Sequence, residues 1–435
     1  MAPTKFGKFG RLATSLNSEV GLLGCLLILP YASYLALLGM TCLTFWIWLQ
    51  QSQPAWRLVT RRGWLVLALG MGITAVTAYD PVEAGLQLTN FLPFFLFFAA
   101  LSVWIGHLQK PLSVLETWSL GLVLGSIPIS LRAAVEYYLK SPSVEARLFD
   151  SPYFSWLYNQ VDYGHRASSV FGHPNVLGAY LVIILGLALG LGLKVLRGGT
   201  LVSQWRWRYW PLSLYSAIAL ALLGIFCSGS RSGVLVAIAQ ILIVGWLMRH
   251  NRLVLVLGLS GITAVSTAVL ALGIGGRSVG EALTTTTLRV DVWEISLNLI
   301  RQHPWLGTGL GGFRLSYVPY TIPQYDTVEH AHNLWLMLAA EIGIPLMLLF
   351  TAIVGWVCYQ GLKTLIGLKT QPFPRSEQAV LAGYGLAFMS CILFALFDVT
   401  FYDSRVNVLG WLTLAVIQAI PALAAKADAA ATDAA

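Results

Sequence analysis

Runs of roughly 20 apolar residues, the length an α-helix needs to cross the hydrocarbon of a bilayer, recur from one end of this 435-residue chain to the other. A chain built this way has one viable fold class. Its backbone polar groups must be satisfied within each segment, which an α-helix does and an open strand cannot. The runs are also far longer than the alternating segments of about 10 residues that build a barrel. Composition agrees: 57% of the residues are hydrophobic and 11% charged, with a mean hydropathy of +0.71, whereas soluble globules carry about 25% charged residues. The expected fold is an all-α integral membrane protein.

Apolar windows between charged or turn-rich breaks place helices near 19–33, 35–50, 63–79, 86–106, 112–135, 171–193, 209–227, 232–248, 253–275, 332–359, 378–397 and 406–424, about twelve in all. The first two form one run from 18 to 50 broken by Pro30. A hairpin of two short helices is the preferred reading there, and a single tilted helix also fits. With the N-terminus inside, most of the 27 Lys and Arg fall in inner segments, while the short outer turn YDPVEAG at 79–85 is acidic. The positive-inside rule therefore sets both termini in the cytoplasm. Two long outer loops remain, about 136–170 and 276–331. No repeat or low-complexity linker divides residues 1–435, so the expectation is a single polytopic domain.

The net charge of +8 and pI of 9.3 come from bases beside helix ends, where they meet membrane lipid headgroups, so no nucleic-acid partner is expected. The five cysteines, Cys25, Cys42, Cys227, Cys358 and Cys391, lie in helix windows without CxxC spacing. They read as packing residues. The basic N-terminus before an apolar run lacks a small-residue cleavage site and reads as an uncleaved first helix.

In so apolar a chain, polar groups at helix mouths carry the functional information. His330-Ala-His332-Asn333 opens the run LWLMLAAEIGIPLMLLF, which holds a lone acid, Glu341. The outer loop before it contains TTTTLRVDVWEISLNLIRQHP, read as an amphipathic helix near 285–302 with a Thr cap, apolar Leu288, Val292, Ile295 and Leu299, and Pro304 as its stop. Such a helix is expected along the membrane surface. The glycine-rich turn WLGTGLGGF follows, able to bring backbone amides to an anion or to serve as a hinge. The outer face also holds Arg231 in CSGSRSG, Arg289, Arg166, His173 and Asn175 in RASSVFGHPNVLGAYL, and Asp398, Asp403 and Arg405 in DVTFYDSR.

An Arg flanked by Ser and Gly at a helix start suits phosphate, because its planar fork and the helix dipole act together. The plainer readings stay beside this one: Arg231 as an interfacial anchor, Arg289 as a charge on a wet helix face, His332 as a helix-start residue. His330 and His332 at i, i+2 fix no third metal ligand by spacing, so no metal is expected there. A neutral imidazole at an outer cleft suits proton removal from a hydroxyl while two arginines hold a diphosphate. Glu341 needs a partner within the bilayer, either an Arg or His or a bracing role in the bundle.

In this order, SSVFGHPNVLGAYL, SGSRSG, RVDVWEISLNLIRQHPWLGTGLGGF and HAHNLWLMLAAEIGIPL resemble the O-antigen ligase and polymerase superfamily of bacterial envelope proteins. The motifs cover about 160–345 and the topology the whole chain. The resemblance implies glycan transfer, with inversion, from a polyprenyl diphosphate-linked donor to a lipid or glycan acceptor, without ATP, cofactor or required metal. The site would face the periplasm of the bacterial inner membrane. It implies His332 as the catalytic residue and Arg231 and Arg289 as diphosphate ligands; the residue inventory itself adds His330, Asn333, Glu341, Arg166, His173 and Asn175 as candidates in support. His330 is an addition to the family pattern. A ligase acting on a lipid core is the first expectation and a polymerase the second. A transporter, as in relatives associated with inorganic carbon uptake, belongs to another class, and so does a scaffold without chemistry. Few ionisable residues in the helices, and no paired broken helices, argue against transport.

Overall fold

The computed structural model describes residues 18–141, 144, 163–201, 210–273, 279–319, 321–322, 326–367 and 374–433. Among them the structure is a helical bundle without strands beyond one isolated bridge between Tyr163 and His165. The helices are α1 (Ser18–Ile28), α2 (Ser33–Arg61), α3 (Trp64–Val76), α4 (Pro81–Gln87), α5 (Leu92–His107), α6 (Pro111–Gly125), α7 (Ile127–Leu139), α8 (Pro174–Leu196), α9 (Trp210–Cys227), α10 (Arg231–Leu247), α11 (Arg252–Leu272), α12 (Val279–Gln302), α13 (Gly312–Ser316), α14 (Leu334–Gly367), α15 (Arg375–Ala395) and α16 (Ser404–Asp433). Seven helical spans, among them α4–α5 and α6–α7 each taken as one, are long and apolar enough to cross a membrane. Shorter apolar helices accompany them at α1, α3, α9 and α10 and within α11. The protein is a multi-pass membrane protein.

The backbone breaks where the sequence carries proline or lacks a helix former. Pro30 sits in the turn between α1 and α2, which supports two helices over 18–50. The second runs on to Arg61, with non-helical Gln51 ahead of Pro54. The windows near 86–106 and 112–135 each resolve into two pieces, parted at Leu88–Phe91 and at Ser126, just before Pro128. Helix α14 begins at Leu334, two residues later than expected, and breaks at Gly343, φ +79°, before Pro345.

Helix α8 is the buried axis of the bundle. It lies against α15 so closely that a Cβ on Gly190 would meet the Gly383 Cα at 2.4 Å, and one on Gly186 the Ala387 nitrogen at 2.6 Å. Small residues permit this approach, since apolar lipid gives helices little hydrophobic reason to associate and close packing must supply the attraction. Gln240 of α10 bridges the pair, its Nε2 donating to the Val182 carbonyl at 3.0 Å and to Ser390 Oγ.

Much of the segment 276–331 is helix. Helix α12 starts at Val279, so positions 284–287 lie within it and not at its start; Gln302 ends it just before Pro304, as expected. Its stripe of Leu288, Val292, Ile295 and Leu299 packs on the protein core, with α14 as the neighbouring helix, and is not left for the membrane surface. Most of the segment 136–170, expected as the first outer loop, and the basic residues Arg206, Arg208 and Lys369 fall outside the described residues.

The glycine-rich turn does receive an acceptor group, and that group is the protein's own Glu341 carboxyl. Its Oε1 accepts from the Gly311 amide at 2.8 Å and the Phe313 amide at 3.4 Å, and its Oε2 from the Tyr402 hydroxyl at 3.3 Å. Thr308 and Gly309 amides donate to the carbonyls of Ala340 and Glu341 at 2.9 and 2.8 Å. A Cβ on Gly307, φ +68°, would fall 2.3 Å from the Glu341 carbonyl carbon. The turn is therefore locked onto the break in α14 and is not a hinge, and Glu341 braces the bundle with no Arg or His among its hydrogen-bond partners in the described residues.

Candidate active site

Three helices present their N-termini to one end of the bundle, each with a side-chain cap. His173 Nδ1 accepts from the Asn175 amide at 3.0 Å at the start of α8. Ser230 Oγ accepts from the Gly233 amide at 3.2 Å at the start of α10, which makes Arg231 the first helical residue. Asn333 Oδ1 accepts from the Trp335 and Leu336 amides at 2.9 and 3.0 Å at the start of α14. Short polar caps of this kind satisfy amides that a helix start leaves unpaired, and the aligned dipoles make this end of the bundle positive.

Between these ends lies a cavity of about 550 Å³, lined by Arg166, His173, Asn175, Arg231, Arg289, His330 and His332, together with Asp398 and Asp403. Segments far apart in the chain thus converge: Arg231 from α10, Arg289 from α12, the histidines from the loop before α14, and Asp398 from the loop after α15. Asn333 and Glu341 do not line it. Asn333 instead fixes the site's geometry, since its Nδ2 also donates to the Leu396 carbonyl at 3.1 Å.

His332 stands between fully buried Ala331 and the capping Asn333, and its φ is +49°. A non-glycine residue in the left-handed region is held there by its surroundings, and such strain concentrates at functional sites. Its Nδ1 points at Asp398, 3.5 Å from Oδ1. That separation is a little longer than a formed hydrogen bond, as is common before a substrate tightens a site. The Nε2 of His330 lies 4.0 Å from the same oxygen, and the two imidazoles meet edge to face with centroids 4.3 Å apart.

Asp398 is the residue that spacing alone did not assign to the site. It is 4% exposed. Its Oδ1 accepts from the Val399 amide at 2.8 Å and its Oδ2 from Asn175 Nδ2. Asn175 Oδ1 in turn accepts from Arg166, whose Nε donates to the Ser228 carbonyl at 2.9 Å. A polar chain therefore runs Arg166, Asn175, Asp398, His332. Burial would raise the Asp398 carboxyl, but His332 first, then His330 and Arg289, hold it below the usual carboxylate range. It is an anion at neutral pH. The sequence signal for it was an acid at the exit of an apolar helix, within DVTFYDSR.

The other ionisable groups sort by the same reasoning. Burial, then Arg166, depresses His173 to about 4, so it is a neutral cap. Burial also holds His330 below its ordinary range, against the pull of Asp398. Arg405 is committed elsewhere: its Nε donates to Asp403 at 2.8 Å, its Nη1 to the Val170 carbonyl at 3.1 Å, and its guanidinium lies over Phe171.

A second, apolar cleft adjoins the polar cavity and shares Asp398 and Thr400 with it. It runs between α8, α14, α15 and α16, past Trp335, Phe350, Phe394, Phe401 and Trp411. The site is thus polar and cationic on one side and lipid-like on the other, with a carboxylate and an imidazole near the junction.

No curated protein matches the chain. Residues 216–351, which supply Arg231, Arg289, His330 and His332, match the family described as O-antigen ligase.

Proposed function

We propose that the protein transfers a glycan from a polyprenyl diphosphate carrier to an acceptor hydroxyl at the periplasmic face of a bacterial inner membrane, as an O-antigen ligase does. The observation that carries this reading is the convergence of Arg231, Arg289 and His332 on one cavity, with Asp398 behind the imidazole. Arg231 and Arg289 bind the donor's diphosphate, and the helix N-termini at that end of the bundle favour the same charge. The lipid tail lies in the apolar cleft beyond Asp398 and Thr400.

In the reaction, a proton on His332 Nδ1 is held toward Asp398, which leaves Nε2 as the acceptor. The acceptor hydroxyl gives its proton to Nε2 as its oxygen bonds to the anomeric carbon. The bond from that carbon to the diphosphate oxygen breaks, and the leaving diphosphate keeps the electron pair. Attack opposite the leaving group inverts the sugar carbon. The two guanidiniums stabilise the charge that grows on the leaving oxygens, so the step requires no metal. Asp398 stabilises the imidazolium that forms and fixes its tautomer. A glycan acceptor would make the same chemistry a polymerase reaction.

Transport fits less well. Three buried acids of the helices are committed to fixed partners: Glu116 to Lys194 at 2.8 Å, Glu136 to Lys140 at 2.9 Å and to the Ser168 and Ser169 amides, and Glu341 to the glycine turn. A relay for ions needs groups that can exchange partners.

The test is release of free polyprenyl diphosphate by purified protein given polyprenyl diphosphate oligosaccharide, EDTA, and lipid or sugar acceptors. Acceptor-dependent release, lost in Arg231→Ala, Arg289→Ala and His332→Ala, is expected. Folded protein in lipid that releases nothing with any acceptor would overturn the reading.

A further inference from the structure

His330 has no part in the transfer chemistry above, yet the fold sets it against the two groups that do. His330, His332 and Asp398 each offer one ligand atom, and the three atoms lie within 4.8 Å of one another. Two of these approaches meet at one carboxylate oxygen, with Nδ1 of His332 at 3.5 Å and Nε2 of His330 at 4.0 Å from Asp398 Oδ1.

A second observation points to a ligand. The Nδ1 of His332, the ring atom that faces Asp398, is sealed from solvent and makes no formed hydrogen bond among the described residues. Buried polar atoms are normally satisfied, so this nitrogen, with the Nε2 of His330 beside the same carboxylate oxygen, points to a group held among the three side chains. The carboxylate is already oriented for that purpose, because Asn175 holds its other oxygen. Ligating carboxylates are commonly fixed in this way.

The donor set selects the ion. Two imidazoles and one carboxylate suit zinc and similar borderline transition ions better than magnesium or calcium, which take oxygen ligands. Zinc bonds of about 2.0 to 2.1 Å place tetrahedral ligand atoms roughly 3.3 Å apart, so the approaches of His332 and His330 to Asp398 need only small closures. Three protein ligands would leave a fourth position for water or substrate.

We propose that His330, His332 and Asp398 form a site for a zinc-class transition-metal ion, and that its occupation switches glycan transfer off. The ion would take the Nδ1 lone pair of His332, which moves the remaining ring proton to Nε2. Nε2 is then a donor and cannot accept the proton of the incoming hydroxyl. The existence of the site stands on geometry alone; the inhibitory half rests on the transfer reading above. Arg166, Arg231 and Arg289 line the same cavity and oppose a dication. The expected affinity is accordingly micromolar, in the range of a regulatory site and weaker than a structural one.

The test uses tag-free, full-length protein in detergent, with no glycan substrate. Titration with Zn²⁺ by calorimetry should show one ion per chain, and Co²⁺ should develop the visible absorption of a four-coordinate site. His330→Ala and Asp398→Asn should each weaken binding by roughly tenfold or more. Arg231→Ala should bind at least as tightly as wild type, since it removes a repelling charge. Melting temperature without metal confirms that each variant is folded, and His330→Gln replaces any that is not. Zn²⁺ should raise the melting temperature of wild type and not of His330→Ala. Binding that is non-stoichiometric, or unchanged in both His330→Ala and Asp398→Asn, would overturn the site. In the release assay, Zn²⁺ should inhibit wild type reversibly with EDTA, and the His330→Ala enzyme should need about tenfold more for the same fractional loss. Stoichiometric binding without inhibition would overturn the switch alone.

Discussion

Nδ1 of His332 lies 3.5 Å from Oδ1 of Asp398, although the two residues come from opposite ends of different helices: His332 precedes α14 and Asp398 follows α15. The pair forms because both flanks are anchored. Asn333 caps α14 and also donates to the Leu396 carbonyl at 3.1 Å, which ties the start of one segment to the end of the other. Asp398→Asn should therefore lower transfer by about 10²-fold or more, the scale of lost acid–base assistance, with little change in KM. The split between kcat and KM, together with an unchanged melting temperature, separates this from misfolding.

The arginines should behave as charge stabilisers. Arg231→Ala and Arg289→Ala are each expected to cost about 2 to 4 kcal/mol of barrier, or roughly 10²- to 10³-fold in rate. Lysine at either position keeps the charge but not the planar fork, so Arg231→Lys and Arg289→Lys should recover only part of the loss. Rates of polyprenyl diphosphate release give the comparison directly.

Glu341 acts on stability. Glu341→Ala strands the Gly311 and Phe313 amides in a buried turn and should cost about 1 to 3 kcal/mol for each amide left unsatisfied. Glu341→Gln keeps an acceptor oxygen and should be milder. Thermal unfolding in detergent orders the two; an alanine variant as stable as wild type would remove Glu341 from its bracing role.

Gly343 should tolerate no side chain. Its φ is +79°, and an added Cβ would sit 2.2 Å from the Trp305 carbonyl oxygen. Gly343→Ala is expected to lose about 1 to 3 kcal/mol from backbone strain, with the clash adding to it. Limited proteolysis between α12 and α14 should report the turn coming loose.

His173 gives the protein a defined acid sensitivity. Its folded value near 4 lies below the ordinary 6.5, so between these pH values the unfolded chain binds the additional proton. Stability contributed by this group is complete above about 6.5 and declines as pH falls toward 4. His173→Asn preserves a capping side chain without a titrating ring. Its melting temperature should fall less than that of wild type between pH 7 and pH 4.

Reading these residues in the linear chain settled what depends on local composition. Lengths of apolar run determined the all-helical membrane class. Pro30 marked the turn between α1 and α2, Pro304 the stop of α12, and the polar residues at helix mouths the candidates Arg231, Arg289 and His332. Helix breaks at Leu88–Phe91, Ser126 and Gly343 were not legible, because a hydropathy window averages over a few non-helical residues.

Partnership was decided only by the tertiary structure. Asp398 became the neighbour of His332, and Glu341 the acceptor for the amides of the glycine turn, through contacts between segments distant in sequence. The apolar stripe of α12 could face lipid or protein with the same periodicity, and its packing beside α14 chose protein. Period and composition report how a segment meets its solvent. Which side chains meet across a cavity depends on where helices end relative to one another, and the backbone contacts of Gly190, Gly307 and Gly343 hold those ends in place.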